Sequence, residues 1–212
     1  MPQEINCRFI DAVFTPMEVE AMTGVTPLLQ RTWKRRGFLG QRKRVRASLT
    51  AHEVAQIMAL QVASQTLPFE LKTVQEAVSD AVPSILWYAL AQGAGVWDIE
   101  GTPAQKAALK KAIEIEDMRG LQYLDKMVGI KSDQFGRYMV RHKGGWTFVQ
   151  DLNAAFEESD PTVALVLNLS AIGIMLANAP KRPRGLIIAT DIEIGPRDVE
   201  PHVTAKKKFR RK

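Results

Sequence analysis

The chain of 212 residues is 46% hydrophobic and 25% charged, an ordinary globular composition with enough apolar material for one large core or two small ones. No apolar run reaches the roughly 18 to 20 residues that a membrane-spanning helix needs, because the longest, Val163 to Ala179, is interrupted by Asn168, Ser170, Gly173 and Asn178. The opening residues lack the basic and apolar stretches of a secretory signal, and the single cysteine, Cys7, cannot build a disulfide framework, so a reducing cytoplasm is the expected compartment.

The formal net charge is +6, and its distribution says more than its size. Residues 1–65 hold nine Lys and Arg against five Asp and Glu, residues 66–204 fourteen against eighteen, and residues 205–212 six against none. Ala21 to Ala51 carries eight positive charges and no acidic residue. A basic head, a mildly acidic body and a basic tip form the asymmetry expected of a nucleic-acid-binding head on a body with another task.

After a short lead, Thr15-Pro16-Met17-Glu18 reads as a helix start: Thr15 accepts a backbone N–H, Pro16 suits the first helical position and Glu18 completes a capping box. About two turns later Thr23-Gly24-Val25 forms a break, and Thr26-Pro27 repeats the start signal. Two short helices joined by a three-residue turn with glycine have the spacing of a helix-turn-helix. The second, Pro27 to Arg36, carries Arg31, Lys34, Arg35 and Arg36 and stops at Gly37, a left-handed C-terminal cap. Gln41 to Arg46 is too charged for a core and reads as a basic loop or two-stranded wing, placed to grip phosphates beside a helix in the major groove. Thr50-Ala51-His52-Glu53 is another capping box, opening a third helix with Val54, Ile57, Met58, Gln61 and Val62 at helical spacing.

The segment from Thr23 through Leu39, with the Thr50 to Val54 helix start, resembles the winged helix-turn-helix of the mercury-resistance regulator (MerR) family and its phage excisionase-like relatives. The likeness spans about residues 13–65. It implies that Arg31 touches phosphate or a base edge, that Trp33 packs the helix and reaches towards the backbone, and that Arg42, Lys43, Arg44 and Arg46 hold flanking phosphates. The full candidate DNA-binding set is Thr26, Leu28, Arg31, Trp33, Lys34, Arg35, Arg42, Lys43, Arg44 and Arg46. One departure stands out: Gln30 falls where the family keeps an apolar core residue, while Leu28 and Leu29 fall where it is often polar and DNA-facing. Either the helix is rotated so that Leu29 serves the core, or the base contacts differ from the usual ones.

Beyond residue 66, Leu71, Val74, Ala77, Val78, Ala81 and Val82 predict an amphipathic helix ended or kinked near Pro83 and resumed over Ser84 to Gln92. Thr102-Pro103-Ala104-Gln105 opens a long helix towards Arg119, and this region is a candidate dimer interface without a sustained heptad. Arg137–Arg141 and Trp146–Gln150 read as a hairpin, Thr162–Leu169 as a third strand feeding a helix over Ser170–Ala179, and Gly185–Thr190 as a fourth strand. Trp87, Trp97, Tyr138, Trp146 and Phe148 either line a pocket or fill the core. Ala205 to Lys212 reads as a disordered basic tail that adds salt-sensitive affinity for nucleic acid.

The expected fold class is therefore α+β, with a winged helix-turn-helix over 1–66, a helical and then α+β dimerisation or sensing region over 67–204, and a tail over 205–212. Catalytic chemistry is not expected. His52, His142 and His202 lie far apart, no metal-ligand spacing or phosphate-binding glycine loop is present, and Glu114, Glu116 and Asp117 read as a solvated face. No cofactor or metal is expected. The leading expectation is a homodimeric, nucleoid-associated regulator of transcription that binds double-stranded DNA. The rivals are an excisionase-like or phage-packaging-like architectural protein and, more weakly, an interaction protein whose head only localises it.

Overall fold

A computed structural model of the chain describes residues 3–39, 48–66, 70–92, 96–113, 135–142, 145–157 and 165–196. The short lead has regular structure of its own. It is a nine-residue strand, β1 (Gln3–Asp11), in which Ile5, Cys7 and Phe9 turn inward while Asn6, Arg8 and Ile10 are exposed. It lies antiparallel to β8 (Ile187–Pro196), and a short strand β4 (Trp97–Ile99) runs parallel along the other side of β8, giving the order β1-β8-β4. The fourth strand expected over Gly185–Thr190 thus begins later and runs longer, and its partners come from the start and the middle of the sequence.

Two residues after β1, β2 (Val13–Phe14) pairs antiparallel with β3 (Leu49–Thr50), closing the base of the head. Between them lie α1 (Pro16–Thr23) and α2 (Pro27–Arg35). The third helix, α3 (Ala51–Thr66), buries more than the single face its spacing suggests: Glu53 to Leu60 are all buried. The reason is its position. α3 packs against α1, against α4 (Leu71–Leu90) and against α7 (Leu169–Ala177), so nearly every side meets protein.

α4 is one continuous helix of 20 residues, where Pro83 was expected to end or kink it. The proline removes one backbone donor. Packing carries the helix across the gap, with Val74, Ala77, Val78, Ala81 and Val82 buried before Pro83 and Ile85, Leu86, Ala89 and Leu90 after it. α5 spans Pro103–Ile113, and its expected continuation to Arg119, with Glu114, Glu116 and Asp117, lies outside the described residues.

The expected hairpin is present as β5 (Tyr138–His142) and β6 (Gly145–Val149), and β7 (Leu165–Asn168) pairs on the far side of β5. A short helix, α6 (Leu152–Glu157), follows β6, and α7 follows β7 directly, its first turn capped by Asn168. α7 crosses α4 at unusually close range: a Cβ on Gly173 would sit 2.6 Å from the Ile85 carbonyl oxygen. Four of the five named aromatic residues pack against other residues, while Tyr138 is half-buried with the Arg137 guanidinium 5.5 Å from its ring centre. Trp97 is buried with its indole N–H on the Leu90 carbonyl, Trp146 and Phe148 rest on the core, and Trp87 meets Tyr88 and Phe135 edge-on.

The chain is thus a mixed α+β protein with three small sheets among the described residues. One contiguous apolar cluster includes Phe14, Val19 and Trp33 from the head, Ile57 and Ile85 from α3 and α4, and Leu169, Leu176 and Ile187 from the C-terminal part. The boundary expected at residue 66 does not part this core, because α3 lies on one side of it and its partners α4 and α7 on the other.

Candidate nucleic-acid interface

The helix pair is assembled from local signals. Thr15 and Glu18 form a reciprocal capping box, the Thr15 N–H donating to Glu18 Oε2 at 2.6 Å and the Glu18 N–H to Thr15 Oγ1 at 3.3 Å. α1 ends where Gly24 takes φ of +76°, a conformation that costs other L-residues steric energy, and its N–H closes on the Glu20 carbonyl. Two residues later Thr26 caps α2, its hydroxyl accepting from the Leu29 N–H at 3.4 Å. The chain therefore turns sharply and launches the second helix within three residues.

α2 has two distinct sides. Gln30 and Trp33, each 3% exposed, face inward. Leu28, Arg31, Thr32 and Arg35 follow the i, i+3, i+4, i+7 stripe away from the core; Thr32 is half-buried and the other three are exposed. Of the two alternatives at Gln30, the rotated helix is excluded: Leu29 remains 37% exposed, so the helix is not turned to bury it. Gln30 instead occupies the apolar position as a polar cross-link. Its amide Nε2 donates to the Pro16 carbonyl at 2.9 Å and to the Val25 carbonyl at 2.7 Å, tying the first turn of α1 and the turn itself to α2. These two bonds offset the burial of its amide nitrogen, while Oε1 is buried without a partner.

The exit of α2 is also fixed. Gly37, at φ of +77°, lets the chain fold back so that the Phe38 N–H reaches the Trp33 carbonyl at 2.9 Å, and Phe38 and Leu39 return to the core. Two glutamines from neighbouring helices hold this corner: Gln75 of α4 donates to the Gly37 carbonyl at 2.7 Å, and Gln56 of α3 to the Phe38 carbonyl at 2.9 Å. Gln56 also donates to Ser79 Oγ at 2.7 Å. Beside them a cavity of about 230 Å³ is lined by Thr50, His52, Glu53, Gln56, Ser79, Val82 and Pro83, and His52 Nδ1 lies 2.7 Å from Asp11 Oδ2.

The candidate set divides accordingly. Thr26, Leu28, Arg31 and Arg35 are exposed and Lys34 is half-buried, so α2 presents several of them together on its outer side. Trp33 does not belong with them. It is the inward anchor of the helix, and at 3% exposure its ring is unavailable to a duplex. Arg42, Lys43, Arg44 and Arg46 lie outside the described residues, as does the tail over 205–212; Leu39 and Ser48, the latter next to β3, are the described residues on either side of the basic segment. The anchoring glutamines were not foreseen. Gln30 was visible only as a departure from a pattern, and Gln56 and Gln75 carry no local signal, since their partners lie 18 and 38 residues away.

Among the described residues no group of three or more His, Cys, Asp or Glu could hold a metal ion, and no helix is long and apolar enough to cross a membrane. No family model, curated protein or solved structure matches the chain. The likeness to the winged helix-turn-helix therefore rests on the residues quoted for it and on the order of elements around them.

Proposed function

We propose that the protein is a sequence-specific double-stranded DNA-binding regulator of transcription, acting as a homodimer whose two heads engage half-sites one helical turn, or a simple multiple, apart. The observation that carries this reading is the outer stripe of α2. Arg31 and Arg35 stand exposed on the side opposite Gln30 and Trp33, on a helix that a three-residue turn projects from the core. A helix presented in this manner fits the major groove, and cations along its length meet the phosphates that border the groove. The eight positive charges between Ala21 and Ala51 supply the counterion-releasing part of the affinity.

Mobility-shift titration against duplexes selected from a random library tests the proposal. Joint replacement of Arg31 and Arg35 by Ala is expected to weaken binding at least ten-fold and to flatten the dependence of affinity on salt, with the thermal melt unchanged. Unchanged affinity in that variant would remove the claim. The architectural alternative is a factor that bends or clusters DNA at attachment or packaging sites. It predicts the same contacts but a different map, so genome-wide occupancy at promoters separates the two.

A further inference from the structure

Resting on that reading, we infer that Leu28 reads the 5-methyl group of a thymine in the major groove, making a methyl contact rather than a hydrogen bond the specificity element at the tip of α2. Leu28 is the second residue of α2 and is 71% exposed. A solitary exposed leucine on a protein surface needs no explanation. This one is not solitary. Leu29 beside it is 37% exposed, so two adjacent apolar side chains meet solvent at the start of α2.

The position of this apolar tip determines what it suits. Leu28 begins the same outward stripe as Arg31 and Arg35, one and two turns further along. In a recognition helix the N-terminal residues approach the base edges, while cations further along meet the backbone. Side chains that hydrogen-bond to bases, such as Asn, Gln or Arg, are absent from the first four positions of α2 except for Gln30, and Gln30 faces inward with its amide nitrogen committed to two carbonyls. Pro27, Leu28 and Leu29 have no side-chain donor or acceptor. Of the groups on the floor of the major groove, the thymine methyl is the apolar one. The flanking cations favour a nucleic acid over a second copy of this basic head, which would bring like charges together.

The test uses the full chain and a duplex enriched from a random library, prepared with each thymidine in turn replaced by deoxyuridine, which lacks only the methyl. One or two replacements are expected to weaken binding by about four-fold, the worth of one buried methyl-sized group. The Leu28→Ala variant should bind the thymidine and deoxyuridine duplexes within about 1.5-fold of each other, whereas Arg31→Ala should bind both more weakly and keep the four-fold ratio. A Leu28→Gln variant, equally soluble at an exposed site, should also lose the ratio. If no replacement affects the wild-type chain, the inference is overturned while DNA binding stands. If Leu28→Ala keeps the ratio, or turns a dimer into a monomer with the ratio intact, the leucine serves another contact and the inference is likewise overturned. Failure to enrich any duplex overturns both the inference and the function it rests on.

Discussion

α2 and α3 belong to the same head yet relate to the core in opposite ways. α3 is surrounded, with eight consecutive residues buried from Glu53 to Leu60, whereas α2 fully buries only Gln30 and Trp33, half-buries Pro27, Thr32 and Lys34, and leaves Leu28, Leu29, Arg31 and Arg35 exposed. A helix held from all sides is a poor reader of anything outside the protein. A helix held at two points and at its ends can present a whole stripe without loss of packing, provided the few anchors are strong. The contrast makes α3 a helix of the core and α2 a helix with an open outer stripe, and it predicts where substitutions will be felt.

The largest effect is expected at the single aromatic anchor. Trp33→Ala should cost about 3–5 kcal/mol in urea unfolding, as much as removing the fully buried Ile57 side chain of α3, for which about 2–5 kcal/mol is expected. Arg31→Ala, one position outside the anchored face, should stay within about 0.5 kcal/mol. Should Trp33→Ala prove as mild as Arg31→Ala, α2 is not held by the core and the two-point description of it fails.

Two glycines sharpen the same contrast between tertiary crowding and local geometry. Gly173 is required by contact: its Cβ would stand 2.6 Å from the Ile85 carbonyl and 2.9 Å from the Ala89 nitrogen, so α4 and α7 would have to separate. Overpacking of this kind costs about 1–3 kcal/mol, partly offset by the better helix propensity of alanine. Gly24 is required by conformation, with open space around it and φ of +76°, and alanine there should cost about 1 kcal/mol. Asparagine distinguishes the two causes. It tolerates the left-handed region, so Gly24→Asn should be more stable than Gly24→Ala, while Gly173→Asn should be less stable than Gly173→Ala. Thermal melts of the four variants check the crossing order.

The same division explains what could be read from the amino-acid order. Thr15 with Glu18, Gly24, Thr26 with Pro27, Gly37, and Thr50 with Glu53 are signals whose partners lie within a few residues, and the elements they announce are found in place. β1 was missed because its partner, β8, lies about 180 residues away and only the pairing makes the alternation of Ile5, Cys7 and Phe9 meaningful. The short β4 was missed for a similar reason: three residues carry no periodicity, and parallel pairing to β8 defines it. At the candidate interface, the outward set on α2 was visible as charge. The role of Gln30 was not, because a buried glutamine is stable only where carbonyls such as those of Pro16 and Val25 converge on it.

The smallest effect concerns a tie between the head and the C-terminal part of the chain. Arg184, just before β8, donates to Glu18 Oε1 at 3.0 Å, and its guanidinium also lies 6.0 Å from the centre of the Phe14 ring. The Glu18 carboxyl is held below its ordinary range chiefly by the backbone N–H of Thr15, with the Thr15 hydroxyl and then Arg184 adding to the effect against the opposing cost of burial. Because ionisation is favoured in the folded state, this stabilisation is present above the unfolded carboxyl pKa of about 4.3 and is lost as pH falls through the lower folded value. Glu18→Gln retains a capping acceptor but no charge, so it should lower stability modestly at pH 7, flatten the unfolding free energy against pH below about 4.3, and converge with the wild type once the carboxyl is protonated. Arg184→Ala should remove less than about 1 kcal/mol at neutral pH, since the pair is partly exposed, and raised salt should mimic it. The backbone bond from Thr15 is the leading cause, so Arg184→Ala should leave most of the acid dependence in place; if it abolishes that dependence, the ion pair rather than the helix cap holds the carboxylate.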